Sequence, residues 1–371
     1  MRITLIALHF AEYSCRLAAA LARDHDVQLI LSEPNLRSEL ENEVIDFQRI
    51  PKLTMVILPH SLSPSVFLRN WKRLIVETRH FQPDVIHMQE NTKDYLVAAF
   101  PFLTRLCPIV MTVHDPKVHS GEDTREARLS RHTLYRRILR RFCDSAIVHG
   151  ANLQDQMISV APWLRGRVAA MPHGPLGPLH AVQREPEPGT LLFFGRINEY
   201  KGLRYFIEGV LLLRAKGIPV RGIVAGRGAD LDRNRAAIEA NDCFELHEEY
   251  VPRSKVRDLF LRAQIVVMPY TDATQSGVAA MAMGFNRPVV ATRVGSIPEM
   301  VVDGRTGILV RPRDAVALAE AIESLLSDRA AYEALSSSIR SACDGWLGWD
   351  HIAGRAAEQY CIAIERRKSQ S

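Results

Sequence analysis

The chain has 371 residues, of which 47% are hydrophobic and 24% are charged, and its formal net charge is +5. A chain of this length exceeds what one hydrophobic core usually serves, so two domains are expected. No apolar run reaches the roughly 18 residues that a membrane-spanning helix needs. The composition therefore indicates a globular protein and excludes a membrane-embedded class.

The six cysteines are scattered along the chain and form neither a CxxC pair nor a cluster with histidine at metal-ligand spacing. This pattern predicts reduced thiols in a cytoplasmic protein. The apolar start, residues 1–8, is followed by Glu12 and Arg16 without a small-residue cleavage site. We therefore interpret it as the first strand and not as a signal peptide.

Short apolar runs alternate with helical patterns through the first half of the chain. The predicted strands are residues 2–8, 27–31, 55–59, 84–88, 108–113, 144–149 and 168–171. The predicted helices between them include residues 12–23, 66–81 and 95–106. Strands that alternate with helices in this way indicate a parallel, doubly wound sheet.

A linker is predicted where proline and glycine become dense, at residues 172–178 and 185–189. A second alternating series follows, and its predicted strands are residues 191–194, 220–225, 243–246, 265–268, 288–291 and 308–310. Its predicted helices include residues 203–216, 254–263 and 277–284. The predicted domains are residues 1–175 and 185–345. Two such sheets joined by a linker are expected to face a central cleft, where a ligand would bind.

The second half is organised around residues 264–310. This stretch predicts a strand, a polar loop over residues 271–276, a helix that begins at Gly277 and a further strand. A loop that enters a helix N-terminus offers unpaired amide donors and the positive end of the helix dipole, which suit a phosphate. An ordinary core βαβ unit is the alternative, because every doubly wound sheet repeats this pattern.

Two segments add specificity. One is LLFFGRINEYKGL, residues 191–203, and the other is the end of the stretch above, with PVVAT, a later PE pair and DGRTG. In this order and spacing they resemble the nucleotide-sugar half of glycosyltransferase family 4, the group 1 glycosyltransferases. The resemblance implies a GT-B fold with two Rossmann-like domains, sugar transfer with retention of anomeric configuration, and an acceptor-binding first domain. It also implies that a helix at about 350–371 packs back on that first domain.

Arg196 and Lys201 follow the first strand of the second domain. Departure of a diphosphate is accelerated by fixed positive charge aimed at it, and the resemblance implies that these two residues bind the donor diphosphate. Two solvated surface cations are the alternative. Because the basic residues can balance the phosphate and no acidic metal-binding pair is present, no metal is expected.

The resemblance also implies a set of donor-binding residues. They are Gly195, Gly226, Arg227, Tyr250, Val251, Gln275, Ser276, Gly277 and Val278. The sequence departs from the family pattern in one respect, because two glutamates eight positions apart are missing. Their places fall at Ala273 or Thr274 and at Met281 or Ala282. We interpret the remaining Gln-Ser-Gly segment as a variant donor site, and the loss of catalysis is the alternative.

In the first domain, His114 ends a predicted strand at the cleft edge. The resemblance implies that this histidine reaches the donor sugar and is catalytic, whereas a structural histidine is the alternative. The loop after the first strand supplies the acceptor-binding residues of this prediction, His9, Phe10 and Tyr13. Most relatives carry a glycine pair there, so the bulkier residues indicate a different local geometry. No protein general base is nominated, since retaining GT-B enzymes use the phosphate of the donor.

Residues 125–142 form the clearest basic cluster. On a helix, one side carries Leu134, Tyr135, Ile138, Leu139 and Phe142, and the other side or its flanks carry Arg136, Arg137, Arg140 and Arg141. A core-facing helix with a solvated basic face is one interpretation. The sharper hypothesis is a surface that contacts anionic lipid at the inner face of the membrane and so reaches a lipid-linked acceptor. No nucleic acid partner is expected, because no aromatic-interleaved basic motif is present.

The sequence therefore predicts a retaining hexosyltransferase that moves a sugar from a nucleoside-diphosphate sugar to a glycan or lipid-linked saccharide, in the synthesis of a cell-surface polysaccharide or glycolipid. Two alternatives remain open. One is a GT-B-like nucleotide-sugar epimerase, and the other is a non-catalytic subunit that binds a nucleotide sugar.

Overall fold

The structure is a computed structural model that describes residues 1–40, 44–59, 63–117, 130–178, 184–248 and 252–369. The described residues divide into two compact units. The first contains those up to Met171 together with those from Trp349 onward, and the second contains those from Pro172 to Gly348.

The first unit is built on a seven-stranded sheet with the order β3-β2-β1-β4-β5-β6-β7. Its strands are β1 (Arg2–Ala7), β2 (Asp26–Ser32), β3 (Leu53–Leu58), β4 (Val85–Gln89), β5 (Ile109–Thr112), β6 (Ser145–Val148) and β7 (Val168–Ala170). Its helices are α1 (Ala11–Leu21), α2 (Glu33–Glu39), α3 (Val44–Gln48), α4 (Pro64–Phe81), α5 (Asp94–Leu106), α6 (Arg131–Phe142), α7 (Ala151–Val160) and the terminal helix, which begins at Trp349. A short 3-10 turn covers Pro162–Leu164.

The second unit is built on a six-stranded sheet with the order β10-β9-β8-β11-β12-β13. Its strands are β8 (Thr190–Phe194), β9 (Arg221–Ala225), β10 (Phe244–His247), β11 (Ile265–Met268), β12 (Val289–Thr292) and β13 (Gly307–Val310). Its helices are α8 (Leu203–Ala215), α9 (Ala229–Glu239), α10 (Arg253–Arg262), α11 (Gly277–Gly284), α12 (Ile297–Met300), α13 (Ala315–Ser327) and α14 (Arg329–Asp344), and a 3-10 turn covers Glu199–Lys201.

All pairings between these strands are parallel. The central strands are buried along their whole length, as in β4, β11 and β12. Strands covered by helices on both faces need continuous apolar sequence instead of alternation, which the runs IVVM and VVAT supply. Every predicted strand is present, with its ends within two residues of the prediction.

The terminal helix, α15 (Trp349–Lys368), belongs to the first unit. Its Tyr360 hydroxyl lies 2.6 Å from Nδ1 of His87 on β4, and Nε2 of His87 lies 2.7 Å from Oγ1 of Thr112 on β5. Burial lowers the pKa of His87 to about 3. Gln359 of the same helix donates to Oγ of Ser145. A neutral, buried hydrogen-bonded network therefore joins α15 to three consecutive strands.

In the second unit, α11 consists of small and apolar residues because it packs closely against the segment that precedes the sheet. The amide of Leu176 donates to the carbonyl of Ala280 at 2.9 Å. A Cβ on Gly284 would lie 1.7 Å from the carbonyl oxygen of Leu176. Any larger residue at position 284 would therefore displace this segment from the helix.

Helix α6 does not have the predicted orientation. Arg140 is 7% exposed, whereas Leu134 is 57% and Phe142 is 62% exposed. Nε and Nη2 of Arg140 donate to the Glu90 carboxylate at 2.5 and 2.8 Å, and its Nη1 donates to the carbonyl of Pro116 at 3.0 Å. The prediction that Arg140 faces lipid is wrong, because a carboxylate fifty residues away in sequence draws this guanidinium inward.

Arg136 also lies on the inner side, with Nε 3.9 Å from the Glu90 carboxylate. Arg137 and Arg141 are exposed, together with Leu134 and Phe142. The exposed side of α6 thus combines apolar and basic side chains. None of the described helices is both long and apolar enough to cross a membrane, and all six cysteines are free thiols, of which only Cys361 is exposed.

Candidate functional site

The strand order of the second unit places one switch point between β8 and β11, since the strands that follow β8 in sequence continue away from β11. In parallel sheets, ligands bind at the carboxyl ends of the strands beside such a switch point. The loop after β8 carries Gly195, Arg196 and Lys201, and the loop after β11 carries Gln275, Ser276 and Gly277. The topology therefore brings both predicted donor segments to one edge.

Lys201 is the most constrained cation of this edge. It is only 8% exposed, and its Nζ lies 5.1 Å from the centre of the Tyr270 ring. No carboxylate of the described residues forms an ion pair with Lys201 or with the exposed Arg196. Burying an ammonium without a partner carboxylate costs free energy, so the arrangement suits an anion supplied from outside the chain.

Glycines bring the backbone close to this ammonium. A Cβ on Gly195, which has φ 108°, would lie 2.8 Å from Nζ of Lys201 and 3.6 Å from Cγ2 of Val278. A Cβ on Gly226, which has φ 139°, would lie 2.0 Å from the carbonyl oxygen of Gly195. The structure thus gathers Gly195, Lys201, Gly226 and Val278 at one place, where a side chain on either glycine would intrude.

The backbone of Arg227 contacts the loop after β8, where its carbonyl accepts from the amide of Ile197 at 2.5 Å. Its side chain is exposed. Tyr250 and Val251, the other predicted donor-binding residues, lie outside the described residues. Their role stays a prediction.

The three residues of the Gln-Ser-Gly segment make different contacts. Oγ of Ser276 caps α11 by accepting from the amides of Val278 and Ala279, at 3.2 and 3.4 Å. The amide of Gly277 donates to no described residue, and a Cβ there would meet nothing within 4 Å. Oε1 of Gln275 is buried and accepts no hydrogen bond from the described chain. This loop therefore offers an open amide donor at Gly277 and holds a buried carbonyl acceptor at Gln275.

Ser276 and Val278 are linked by the cap of α11. The Val278 amide donates to the Ser276 hydroxyl, and the donor contacts predicted for both residues stay a prediction. An N-cap serine stabilises the helix by accepting from its first orphan amides. The Ser276 hydroxyl and the Val278 amide are therefore engaged in the helix cap, whereas the amide of Gly277 donates to no described residue.

Two buried residues of this edge were not predicted. Tyr270, which is 3% exposed, directly follows the end of β11, and its ring lies under the Lys201 ammonium. Ser296 is 4% exposed, its amide donates to the carbonyl of Thr274 at 3.0 Å, and its Oγ has no described partner. Position after a strand was the available signal for both, since Tyr270 follows β11 and Ser296 follows β12.

The first unit has its own switch point, between β1 and β4. The centroid of the Phe10 ring lies 3.8 Å from the centroid of the His114 ring and 4.1 Å from that of the His9 ring. Nε2 of His114 lies 2.9 Å from Oε1 of Gln89, within hydrogen-bond distance. The His114 side chain is buried, and its predicted contact with the donor sugar stays a prediction.

Phe10 adopts the left-handed conformation with φ 61°, where glycine is favoured. A phenylalanine at this position covers the imidazole of His114. Tyr13 is 2% exposed and contacts the rings of His114, His149 and Trp349 at 5.5, 5.3 and 5.1 Å. Tyr13 therefore packs below the edge, whereas His9 is exposed on it.

At this edge, carboxylates of the chain accept hydrogen bonds from some of its polar groups. Oε2 of Glu39 accepts from the amide of Glu12, in the first turn of α1, at 3.0 Å. Glu90, directly after β4, pairs with Arg140 of α6, and Arg140 also donates to the carbonyl of Asp115 at 3.4 Å. Nζ of Lys93 donates to Oγ of Ser32 at 3.0 Å. The sequence signal for Lys93 and Ser32 was again their place at strand ends.

Family models match both halves of the chain. Residues 11–182 match the model described as Glycosyltransferase Family 4, and residues 188–328 match the model described as Glycosyl transferases group 1. The chain is 26% identical over 307 residues to a glycogen synthase of Mycobacterium tuberculosis (strain CDC 1551 / Oshkosh), which covers 79% of this chain and 72% of that enzyme. It is 30% identical over 183 residues to a D-inositol 3-phosphate glycosyltransferase of Arthrobacter sp. (strain FB24), covering 47% of this chain and 43% of that enzyme.

Among solved structures, the chain is similar to HepE of Anabaena in complex with UDP-glucose, with a TM-score of 0.68 and 17% identity over 98% of this chain and 100% of that one. This likeness concerns the fold, and it agrees with the two parallel-sheet units described above. The predicted fold class and family are confirmed, whereas the predicted cleft between the domains stays a prediction. The chain belongs to glycosyltransferase family 4, the group 1 glycosyltransferases, and is a glycosyltransferase of the GT-B type.

Proposed function

We propose that the chain transfers a hexose from a nucleoside-diphosphate sugar, with retention of anomeric configuration, to a hydroxyl of a glycan or lipid-linked saccharide. One observation carries this proposal: at the carboxyl edge of the second sheet, the buried ammonium of Lys201 has no carboxylate partner among the described residues. Around it lie the glycine backbone at Gly195 and the open amide of Gly277. The relatives support it, since their names include a glycogen synthase and an inositol phosphate glycosyltransferase.

In this proposal the bond between the anomeric carbon and the diphosphate breaks, and the leaving diphosphate carries away the electron pair. Lys201 and Arg196 stabilise the negative charge that develops on it. The bond from the acceptor oxygen then forms on the same face, and the leaving phosphate takes the proton of the acceptor hydroxyl. The step needs no metal, because the two side chains supply positive charge, and chelation by EDTA should leave turnover unchanged.

The buried Oε1 of Gln275 has a defined place in this scheme. A carbonyl oxygen only accepts hydrogen bonds, and this one has no described donor. A hydroxyl of the donor sugar or of the ribose would satisfy it, which is the role that the family resemblance implies for the two missing glutamates. The amide keeps the acceptor without adding negative charge beside the leaving diphosphate.

Binding of a panel of nucleotide sugars, measured by thermal shift, tests the donor assignment. A ligand at a hundred times its Kd stabilises the folded state by about 2.7 kcal/mol. We expect one nucleoside-diphosphate sugar to raise Tm in the parent and not in Lys201→Ala. The variant Lys216→Ala is a matched control, because Lys216 is an exposed lysine of the same unit that pairs with Glu323 at 2.6 Å. If no member of the panel raises Tm, the donor proposal is wrong.

Transfer itself is tested with the stabilising donor and with saccharide and lipid-linked acceptors, and the anomeric configuration of the product is read by NMR. A product with inverted configuration would contradict retention. A changed sugar in the absence of acceptor would favour the epimerase. Donor binding without transfer to any acceptor would favour the non-catalytic subunit.

We further propose that the exposed side of α6 contacts an anionic bilayer and so reaches a lipid-linked acceptor. The four contacting residues are Leu134, Arg137, Arg141 and Phe142, which are all exposed. Interfacial helices bury apolar side chains at the headgroup boundary while basic residues bind anionic lipid. Each basic residue near the surface contributes about 1 kcal/mol, and salt screens this attraction.

Sedimentation with phosphatidylserine-containing vesicles at low salt tests this contact. The variant Arg137→Gln/Arg141→Gln/Phe142→Gln should lose vesicle binding and keep its thermal response to the donor. The control is Arg329→Gln, which removes an exposed arginine of the other unit. Vesicle binding that survives the triple substitution, or that is absent in the parent, would make a soluble acceptor the better proposal.

A further inference from the structure

The second unit contains a cavity at the edge of its sheet opposite to the donor site. Its volume is about 450 Å³, and its lining includes Gln264, Arg287 and Pro188. These three residues come just before β11, β12 and β8, so they mark the amino ends of the strands. Strands of four or five residues at about 3.3 Å per residue separate the two edges by roughly 13–17 Å. This space is therefore distinct from the site around Lys201.

The cavity carries an excess of positive charge. Four arginines and two glutamates line it, namely Arg184, Arg287, Arg329, Arg340, Glu185 and Glu333. Arg329 pairs with Glu333 at 2.7 Å, but both side chains are largely exposed, and such pairs hold little net free energy. Arg340 and Arg287 form no ion pair with any residue that the structure describes. No carboxylate of the described residues therefore balances the charge of either guanidinium.

Arg287 forms the buried wall of the cavity and is 6% exposed. Its Nε donates to the carbonyl of Phe260 at 3.0 Å, and its Nη2 donates to the carbonyls of Leu261 and Arg184, both at 2.8 Å. Phe260 and Leu261 belong to the last turn of α10. These contacts hold the guanidinium in place with neutral carbonyl oxygens and leave its Nη1 for a ligand, and no carboxylate of the described residues pairs with it.

The remaining lining suits an organic group. Phe285, Leu325 and Leu326 are apolar, and Tyr332 adds an aromatic side chain whose hydroxyl donates to the carbonyl of Gln264 at 3.2 Å. Pockets for small molecules have volumes of roughly 300–1,000 Å³ and combine apolar walls with a few placed polar groups. The cavity meets that description and adds two guanidinium groups without carboxylate partners.

We propose that this cavity is a second ligand site, which binds a small organic molecule bearing a phosphate group. Arg340 and Arg287 hold the phosphate, and the side chains of Phe285 and Tyr332 contact the organic part. Hydrogen bonds between a guanidinium and a phosphate are among the strong ones in proteins, and Arg287 would donate through Nη1, the nitrogen that the backbone carbonyls leave unused.

Helix α11 joins the two sites. It begins at Gly277 in the donor loop and ends at Gly284, directly before the cavity residue Phe285. Its eight residues span about 12 Å at 1.5 Å per residue. Pro178 and Arg184, from the segment between the last strand of the first unit and β8, also line the cavity. A ligand there would contact both the far end of the donor helix and the chain that connects the two units.

Calorimetric titration with phenyl phosphate tests the site on the full chain. We expect saturable binding in the parent and at least a tenfold weaker Kd in Arg340→Ala. Arg204→Ala, which removes an exposed arginine of α8, should bind like the parent. Benzyl alcohol should bind much more weakly than phenyl phosphate, because it lacks the anion. Lys201→Ala should bind phenyl phosphate with unchanged affinity, which separates this cavity from the donor site.

Several outcomes would overturn the proposal. They are the absence of saturable binding in the parent, equal affinity in Arg340→Ala, and equal affinity for benzyl alcohol. A loss of phenyl phosphate binding in Lys201→Ala would place the probe at the donor site and would also overturn it. None of these readouts depends on transfer activity, so failure here leaves the proposed donor site untouched.

Discussion

The two switch-point edges share a topology and differ in how their polar groups are satisfied. In the first unit the amide of Glu12, at the start of the helix after β1, donates to the Glu39 carboxylate, and Arg140 pairs with Glu90. In the second unit the buried ammonium of Lys201 has no described carboxylate, and the amide of Gly277 is open. The parallel αβ topology therefore provides an edge where a ligand could bind. The loop side chains decide whether the polar groups of that edge are already paired within the chain.

The comparison predicts its largest effect at the buried ion pair of the first unit. Arg140→Ala should lower the free energy of unfolding by about 3 kcal/mol, the lower end for a broken buried pair, because the buried Glu90 would lose its hydrogen-bonded partner and keep only the contact with Arg136 at 3.9 Å. Denaturant unfolding measures this loss. Arg137→Ala, an exposed neighbour on the same helix, should change stability by no more than about 0.5 kcal/mol. Equal effects of the two substitutions would contradict the assigned orientation of α6.

In the second unit, Lys201→Ala should reduce turnover strongly and change stability little. Turnover should fall by tenfold to a few hundredfold, because hydrogen bonds to charged groups contribute roughly 1.5–3 kcal/mol. The free energy of unfolding should fall by no more than the ~1 kcal/mol that the contact with Tyr270 contributes. Steady-state kinetics and denaturant unfolding on the same preparation separate the two quantities. Normal turnover would remove Lys201 from the site.

Lowering the pH should destabilise the first unit, because this unit contains the buried, neutral His87. The pKa of His87 is about 3 in the folded state and near 6.5 when unfolded, so the unfolded chain binds the extra proton. The contribution of His87 to the free energy of unfolding is fully present above pH 6.5. It falls by about 1.4 kcal/mol per pH unit as pH decreases toward 3. Hydrogen exchange should show β4 and α15 losing protection first.

The variant His87→Gln checks that assignment. It should be less stable than the parent at pH 7.5, because it disturbs the bonds to Tyr360 and Thr112. Its free energy of unfolding should depend less on pH between 6.5 and 4.5. A variant whose pH dependence equals that of the parent would show that another group governs acid unfolding.

The smallest predicted effect concerns Gln275. Gln275→Ala should weaken binding of the intact donor about two- to tenfold, since a neutral hydrogen bond contributes about 0.5–1.5 kcal/mol. Titration with the free nucleoside diphosphate serves as the comparison. Weaker binding of the donor alone would assign the amide to the sugar, and weaker binding of both ligands would assign it to the nucleotide. Unchanged binding of both would show that a ligand does not use this acceptor.

Much of the architecture could be read from the sequence. Buried parallel strands require continuous apolar runs, so all thirteen described strands were predicted within two residues. The loops after β8 and β11 were identified because glycine and basic residues followed those runs directly. The local role of the Ser276 hydroxyl required the structure, because a serine that precedes a helix can either face a ligand or cap the helix. Here it caps the helix, through the amides of Val278 and Ala279.

What only the tertiary structure decided was the environment of individual side chains. Arg140 and Arg141 are neighbours in sequence, yet one is buried against Glu90 and the other is exposed. Tyr270 and the cavity around Arg287 likewise depend on residues from separate elements. The local pattern determines which segments form strands and helices, because that choice depends on near neighbours. Burial and charge pairing depend on residues that are distant in sequence and meet only in the folded chain.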